Sequence, residues 1–153
     1  MAKGFEAVDA MLKAAAVELI LSRTICPGKF IVLIAGEVGD VQAAVEAGSA
    51  RAQEALVDKF VIPNVHPEVF PAIAGNSGVS ELGALGVVET FSVASLIEAA
   101  DAAVKSANVR LVEIRLAMAL GGKAFASFTG TVADVETAAM TAALTAGEKG
   151  LLS

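Results

Sequence analysis

Hydrophobic and polar residues alternate along this chain with two different periods, one typical of strands and one typical of helices. Residues 109–117, VRLVEIRLA, alternate apolar and polar side chains as a half-buried strand does. Residues 93–107 are rich in alanine and follow Ser92, a residue type that caps helix N-termini, so a helix is expected there. The same reasoning predicts strands at 85–90 and 123–130 and a helix at 132–146.

The first half of the chain repeats the pattern of the second half. Residues 6–23 align with residues 98–115 at a constant offset of 92, and residues 28–45 align with residues 122–139 after an adjustment of two residues. The matched pairs include Asp9 with Asp101, Lys13 with Lys105 and Lys29 with Lys123. Two homologous units therefore share the chain.

The repeat predicts two domains of mixed helix and strand. The first is expected over residues 1–73 and the second over residues 85–153, joined by the glycine- and serine-rich residues 74–84. The full pattern has the order β-α-β-β-α-β, which predicts helices packed on an antiparallel sheet. The predicted fold class is therefore α+β.

Each domain is expected to lack one strand of that order. The first begins directly at its helix, without a counterpart of residues 85–92, and the second ends before a counterpart of residues 61–67. Residues 57–73 begin as a further strand, which their prolines then end. Unpaired strand edges are therefore expected in both domains.

Composition narrows the classes of partner and of activity. Hydrophobic residues make up 56% of the chain, yet no apolar run approaches the roughly 18 residues of a membrane span, so large buried interfaces are expected rather than a membrane. A net charge of -6 disfavours binding to nucleic acid. The first residues lack the pattern of a signal peptide, so a cytosolic location is expected. Paired carboxylates, a catalytic triad and a phosphate loop are all missing from the sequence, so an enzyme is not expected.

The lone cysteine lies in the stretch TICPGKF, residues 24–30. Cys26 could be a buried apolar side chain, a nucleophile or one ligand of a shared metal group. A nucleophile is disfavoured because the single histidine, His66, lies far along the chain and is interpreted as structural. From the residues alone, an unliganded side chain is favoured.

The sequence from residue 85 to residue 139 resembles the bacterial microcompartment (BMC) shell domain. Hallmarks of that family are a G-x-[VL]-E-T strand, a D-A-x-x-K-x-A helix and a G-K loop, present here as GVVET, DAAVKSA and GGK. The resemblance implies two tandem ferredoxin-like domains in a structural shell protein. It further implies a homotrimer that forms a six-sided tile, joins other BMC shell proteins and lies in the shell of a compartment within the cytoplasm.

The segments TICPGKF and NVHPEVFPAIAG resemble the propanediol-utilisation branch of the family more closely. In that branch the resemblance implies that Cys26 from three chains holds one 4Fe-4S cluster in a central pore, for electron transfer across the shell and exchange with encapsulated redox enzymes. The pore loops would then be formed by Ile25, Pro27, Gly28 and Lys29 beside Cys26, and by Gly121, Gly122 and Lys123 in the second domain.

The helix lysines have two interpretations. Lys13 and Lys105 each follow an aspartate by four residues, which predicts an ordinary surface ion pair. The resemblance implies in addition that both lysines lie at the tile edge, where neighbouring tiles meet. Asn64 stands where an arginine of the family usually completes that edge.

Three functions therefore remain open from the sequence. The first is a shell tile with a redox cluster, and the second is a purely structural tile in which Cys26 stays a free thiol. The third is a small trimeric ligand-sensing protein of ferredoxin-like fold, because fold alone does not fix function.

Overall fold

A computed structural model of the chain describes residues 2–117 and 120–150, with side chains up to residue 147. Ala119, two residues before the glycines of the predicted second pore loop, and residues 151–153, at the end of the predicted second domain, lie outside the described residues. By packing, the chain divides into two compact units, Met1–Asn64 and Val65–Ser153.

Unit 1 is a strand hairpin with two helices. Its elements are α1 (Ala2–Ala14), β1 (Glu18–Ile25), β2 (Lys29–Ala35), α2 (Val38–Ala52) and a short 3-10 turn (Gln53–Ala55). β1 and β2 pair antiparallel as a two-stranded sheet. The two helices pack closely because Gly48 on α2 leaves room for Met11, whose Sδ would lie 3.1 Å from an added Cβ.

The strand predicted at the start of residues 57–73 is wrong. Residues 56–62 form neither helix nor strand, and Val57 and Phe60 are exposed. A strand needs a neighbouring backbone to pair with, and the described sheet of this unit contains β1 and β2 alone.

Unit 2 is an antiparallel sheet with helices on it. Its elements are α3 (Val69–Ile73), β3 (Ala84–Thr90), α4 (Val93–Ser106), β4 (Arg110–Leu116), β5 (Ala124–Gly130) and α5 (Val132–Gly150). β5 lies in the centre, between β3 and β4, and both pairings are antiparallel. The α+β prediction and the elements predicted from residue 85 onward are confirmed, each within a few residues at its ends.

The core of unit 2 lies between its sheet and the helices α4 and α5. Val88, Leu96, Ile114, Phe128 and Ala138 are buried there. On the opposite face of β3, the apolar side chains of Leu85 and Val87 are exposed. The sheet therefore has one covered face and one partly apolar open face.

Side-chain hydroxyls cap both long helices of unit 2. The Ser92 hydroxyl accepts from the backbone N–H of Ser95, which confirms the predicted N-cap of α4. At the start of α5, Thr131 Oγ1 accepts from the N–H of Asp134 at 3.2 Å. Along the same helix, three threonines each donate to the carbonyl four residues earlier: Thr137, Thr141 and Thr145.

None of the described helices combines the length and the apolar composition that a membrane-spanning helix requires.

Candidate functional site

The first candidate loop connects β1 to β2 and contains Cys26. Ile25 pairs with Lys29 at the end of the hairpin, so the turn consists of Cys26, Pro27 and Gly28. Gly28 has a φ of 78°, a conformation that favours glycine, and this allows the chain to reverse in three residues. The Cys26 thiol is exposed at the tip.

The predicted 4Fe-4S cluster is overturned by this arrangement. Such a cluster is held by several thiolates, and the chain supplies one cysteine. Within residues 2–117 and 120–150, no group of three histidine, cysteine, aspartate or glutamate side chains is placed to hold a metal ion. Cys26 is therefore described as an exposed free thiol, and the expectation of redox enzymes as partners loses its basis.

The second candidate loop connects β4 to β5 and contains Gly121, Gly122 and Lys123. Both glycines have positive φ values, 62° and 93°, which side chains with a Cβ rarely adopt. The backbone N–H of Lys123 donates to the carbonyl of Leu120 at 3.1 Å, and its Nζ lies 3.3 Å from Glu89 Oε1 on β3. The glycines form a tight turn, and the ion pair fixes the lysine beside the sheet.

The two helix lysines form the ion pairs predicted from their spacing. Lys13 Nζ lies 2.7 Å from Asp9 Oδ2 on α1, and Lys105 Nζ lies 2.6 Å from Asp101 Oδ2 on α4. The surroundings differ, because both members of the first pair are exposed whereas Asp101 is buried. The predicted ion pair is thus confirmed for both lysines, but only the pair of Lys13 is a surface pair, because Asp101 is buried. Their place at a tile edge stays a prediction.

Asp101 holds a segment that sequence reasoning did not connect with it. The backbone N–H of His66 donates to Asp101 Oδ1 at 2.7 Å, so the carboxylate bridges Lys105 and this segment. Residues 65–73 form this segment, which is called segment 65–73. Its Glu68 accepts from the backbone N–H of Leu111 at 2.9 Å and pairs with Arg110.

Apolar packing completes the attachment of segment 65–73 to unit 2. α3 packs against β4 and touches α4, and its Val69 and Ala72 are buried. The sequence offers one signal for this contact, since three of its four prolines, at 63, 67 and 71, lie in or beside the segment. Prolines stiffen a peptide for docking, although they do not identify what it docks against.

Asn64 and His66 occupy the turn that precedes α3. Asn64 is exposed with a φ of 55°, a conformation that asparagine tolerates better than most residues. The backbone N–H of Glu68 donates to His66 Nδ1 at 3.3 Å. Together with the bond from His66 to Asp101, this supports the structural interpretation of His66. An edge role for Asn64 stays a prediction.

Comparison with known proteins identifies the repeat. The sequence model of one protein family, the BMC domain, matches residues 1–65 and again residues 84–153. A relative from Citrobacter freundii, the bacterial microcompartment shell protein PduT, is 51% identical over 152 residues, which cover 99% of this chain and 83% of that protein. The carboxysome assembly protein CcmO from Synechocystis sp. is 35% identical over 145 residues, which cover 85% of this chain and 48% of that protein.

Solved structures share the fold. The crystal structure of a microcompartment protein from Desulfitobacterium hafniense DCB matches 100% of this chain and 86% of its own, with a TM-score of 0.94 and 49% identity. A fused permuted hexameric shell protein from the RMM microcompartment matches 92% of this chain and 73% of its own, with a TM-score of 0.67 and 25% identity.

Proposed function

This chain belongs to the BMC-domain family, and from that membership we propose that three copies of it form a six-sided, pseudohexameric tile in the shell of a bacterial microcompartment. The membership makes it a structural shell protein rather than an enzyme. The observation that carries the proposal is the double match to the domain, because a ring of six domains closes with three chains that have two each.

Exposed apolar side chains support an assembled state. Within unit 2, Leu85 and Val87 on β3, Phe91 after it, and Met140 and Leu144 on α5 are all exposed. Neighbouring exposed apolar side chains, such as Leu85 and Val87 on the open face of β3, commonly mark a protein interface. In the proposed tile, neighbouring domains cover these surfaces, and the tile is purely structural with Cys26 as a free thiol.

The proposed tile predicts two levels of assembly. In solution we expect sedimentation equilibrium to give the mass of three chains, and electron microscopy to show flat sheets at higher protein concentration. A chain that stays monomeric at all concentrations would refute the tile.

Lys13→Ala tests the proposed tile edge. Lys13 is exposed and pairs with an exposed aspartate, so its loss leaves no buried group unpaired. We expect the variant to remain trimeric but to need about tenfold more protein to form sheets. Each tile–tile contact loses a little binding free energy, and these losses add up over the several edges of a tile. Lys3→Ala is the matched control, since it removes the same charge from another exposed pair on α1. Equal behaviour of the two variants would exclude the edge role of Lys13.

The Cys26 loop is proposed to face the threefold axis of the trimer, in alternation with the loop at residues 121–123. Three thiols near one axis come within disulfide range, which requires Cα atoms about 4.4–6.8 Å apart. We expect oxidation with copper phenanthroline to join two chains of each trimer through a disulfide between two Cys26 thiols and to leave the third thiol free.

Two variants control the oxidation experiment. Cys26→Ser should abolish the cross-linked pair without changing the trimer mass. Lys59→Cys on the Cys26→Ser background supplies an exposed thiol elsewhere on unit 1 and should give little cross-linking. Trimers that yield no cross-linked pair through Cys26 would show that this loop lies away from the axis.

A further inference from the structure

The chain contains three asparagines, and they differ in the residue that follows each of them. Asn76 is followed by Ser77, whereas Asn64 and Asn108 are each followed by a valine. The branched Cβ of a valine crowds its backbone nitrogen, and the side chain of a serine has no such branch. The carboxamide of Asn76 therefore has the least hindered neighbouring nitrogen of the three.

The backbone nitrogens next to these asparagines also differ in hydrogen bonding. The N–H of Val109 donates to the carbonyl of Ala107 at 2.9 Å, and Val109 is buried. Within residues 2–117 and 120–150, the backbone N–H of Ser77 has no hydrogen-bond acceptor. The side chain of Asn76 is exposed and has no partner in the same described residues. No hydrogen bond must therefore break before these two groups can meet.

Asn76 lies just after the end of α3. Its own N–H donates to the carbonyl of Pro71 at 2.9 Å, and the N–H of Gly75 donates to the carbonyl of Ala72 at 3.3 Å. This pair of bonds is the Schellman arrangement, in which many helices end. Residues 76–83 then form neither helix nor strand. The backbone is thus anchored at the nitrogen of Asn76 and is irregular from there to β3.

We infer that Asn76 is a site of spontaneous deamidation in the folded protein. The backbone nitrogen of Ser77 gives up its proton and attacks Cγ of Asn76, and the new bond closes a five-membered succinimide ring. The bond from Cγ to the side-chain nitrogen breaks, and this nitrogen takes up a proton and leaves as ammonia. The two reacting groups are neighbours in the chain, so the step needs no second molecule to be brought into place.

Water completes the reaction by opening the ring at either of its two carbonyl groups. One opening gives aspartate and the other gives isoaspartate, in which the backbone runs through the former side chain. The sum is asparagine plus water to an acidic residue plus ammonia, and nothing is oxidised or reduced. Such a change of covalent structure adds one negative charge to a chain whose net charge is -6.

The product alters the stretch before β3 and spares the end of α3. Isoaspartate puts one extra carbon atom between Cα of residue 76 and the nitrogen of Ser77. The N–H that donates to Pro71 comes before this insertion, so its hydrogen bond is unaffected. Deamidation therefore lengthens the connection to β3 and leaves segment 65–73 attached.

Mass spectrometry of the intact chain after incubation in mildly alkaline buffer tests the inference. We expect the proteolytic peptide that contains Asn76 to gain about 1 Da and to divide into an aspartate and an isoaspartate form. Its conversion should exceed that of the peptides with Asn64 and Asn108 by at least about tenfold. The reference is a synthetic peptide of residues 73–80, which should convert at a similar rate. Conversion in the protein more than about tenfold slower than in this peptide would overturn the inference.

Two matched variants examine the attacking nitrogen. Ser77→Val places a branched side chain at this nitrogen and should slow the conversion of Asn76 about tenfold. Ser80→Val makes the same replacement at an exposed position of the same irregular stretch and should leave the rate unchanged. Equal rates in the two variants would overturn the attack by Ser77. The reaction takes place within one chain, so a failure of the proposed tile would leave this result unaffected.

Discussion

Asp101→Ala is expected to lower the free energy of unfolding by about 2–3 kcal/mol, as measured by urea denaturation. The carboxylate is buried and accepts two short hydrogen bonds, from the backbone N–H of His66 and from Lys105 Nζ. Its removal leaves that N–H without an acceptor and releases segment 65–73 from α4. The loss should therefore also raise the rate at which a protease cuts within residues 65–73.

Asp9→Ala is the matched control, because Asp9 occupies the same position in the repeat and also pairs with a lysine. Both partners are exposed, so we expect a change below about 0.5 kcal/mol. Equal destabilisation by the two substitutions would show that Asp101 contributes no more than a surface ion pair, and that segment 65–73 is held by its apolar contacts.

Phe128→Ala is expected to cost about 3–5 kcal/mol, because it removes one of the largest fully buried side chains and leaves a cavity under the sheet. Phe125→Ala is the control within the same strand. Phe125 is only partly buried, with the Arg115 guanidinium 5.4 Å from its ring centre, so its loss should cost less than half as much. Thermal or urea unfolding of both variants measures the difference.

Gly86→Ala tests the packing around the Phe128 ring from the neighbouring strand. A Cβ at Gly86 would lie 2.7 Å from Phe128 Cζ, so we expect a loss of about 1–3 kcal/mol from overpacking. The smaller leucine should relieve the clash, which makes the double variant with Phe128→Leu about 1 kcal/mol more stable than the sum of the single effects. Strict additivity would show that the sheet adjusts to the extra methyl without moving Phe128.

The sequence predicted the elements of unit 2 from β3 onward well because each of them has its own local signal. Ser92 caps α4, and β4 alternates apolar and polar residues with the period of a strand. Such signals need no knowledge of distant contacts. The repeat extended the same assignments to unit 1, where α1, β1, β2 and α2 follow the order of their counterparts.

The failures arose where structure depends on a distant partner. The apolar stretch that begins at Val57 has the composition of a strand, but its composition does not reveal whether a pairing edge is available. The attachment of segment 65–73 depends on Asp101, separated from His66 by 35 residues. The ion pair with the lysine four residues later accounts for this aspartate locally. The sequence therefore gives no sign of its second hydrogen bond, to a distant backbone N–H.

The metal prediction failed for a different reason. It required thiolates from several chains, and it came from likeness to a family branch rather than from residues within this chain. The described residues offer the exposed Cys26 thiol and no group of metal-ligating side chains beside it. Proline and glycine after the cysteine are typical of a tight turn, and the structure has a turn at residues 26–28, whereas the place of this loop at a pore stays a prediction.

The threonines of α5 affect the free energy that is needed to remove hydration water from the surface of this helix. Thr137, Thr141 and Thr145 each use their hydroxyl proton within the helix, in a bond to the carbonyl four residues earlier. Their remaining methyl groups lie on the same helix as the exposed Met140 and Leu144. A surface whose donors are already engaged gives up its hydration layer at lower cost than its polar composition suggests. Along this helix, each of these threonines therefore costs less free energy to dehydrate than a threonine whose hydroxyl proton is bonded to water.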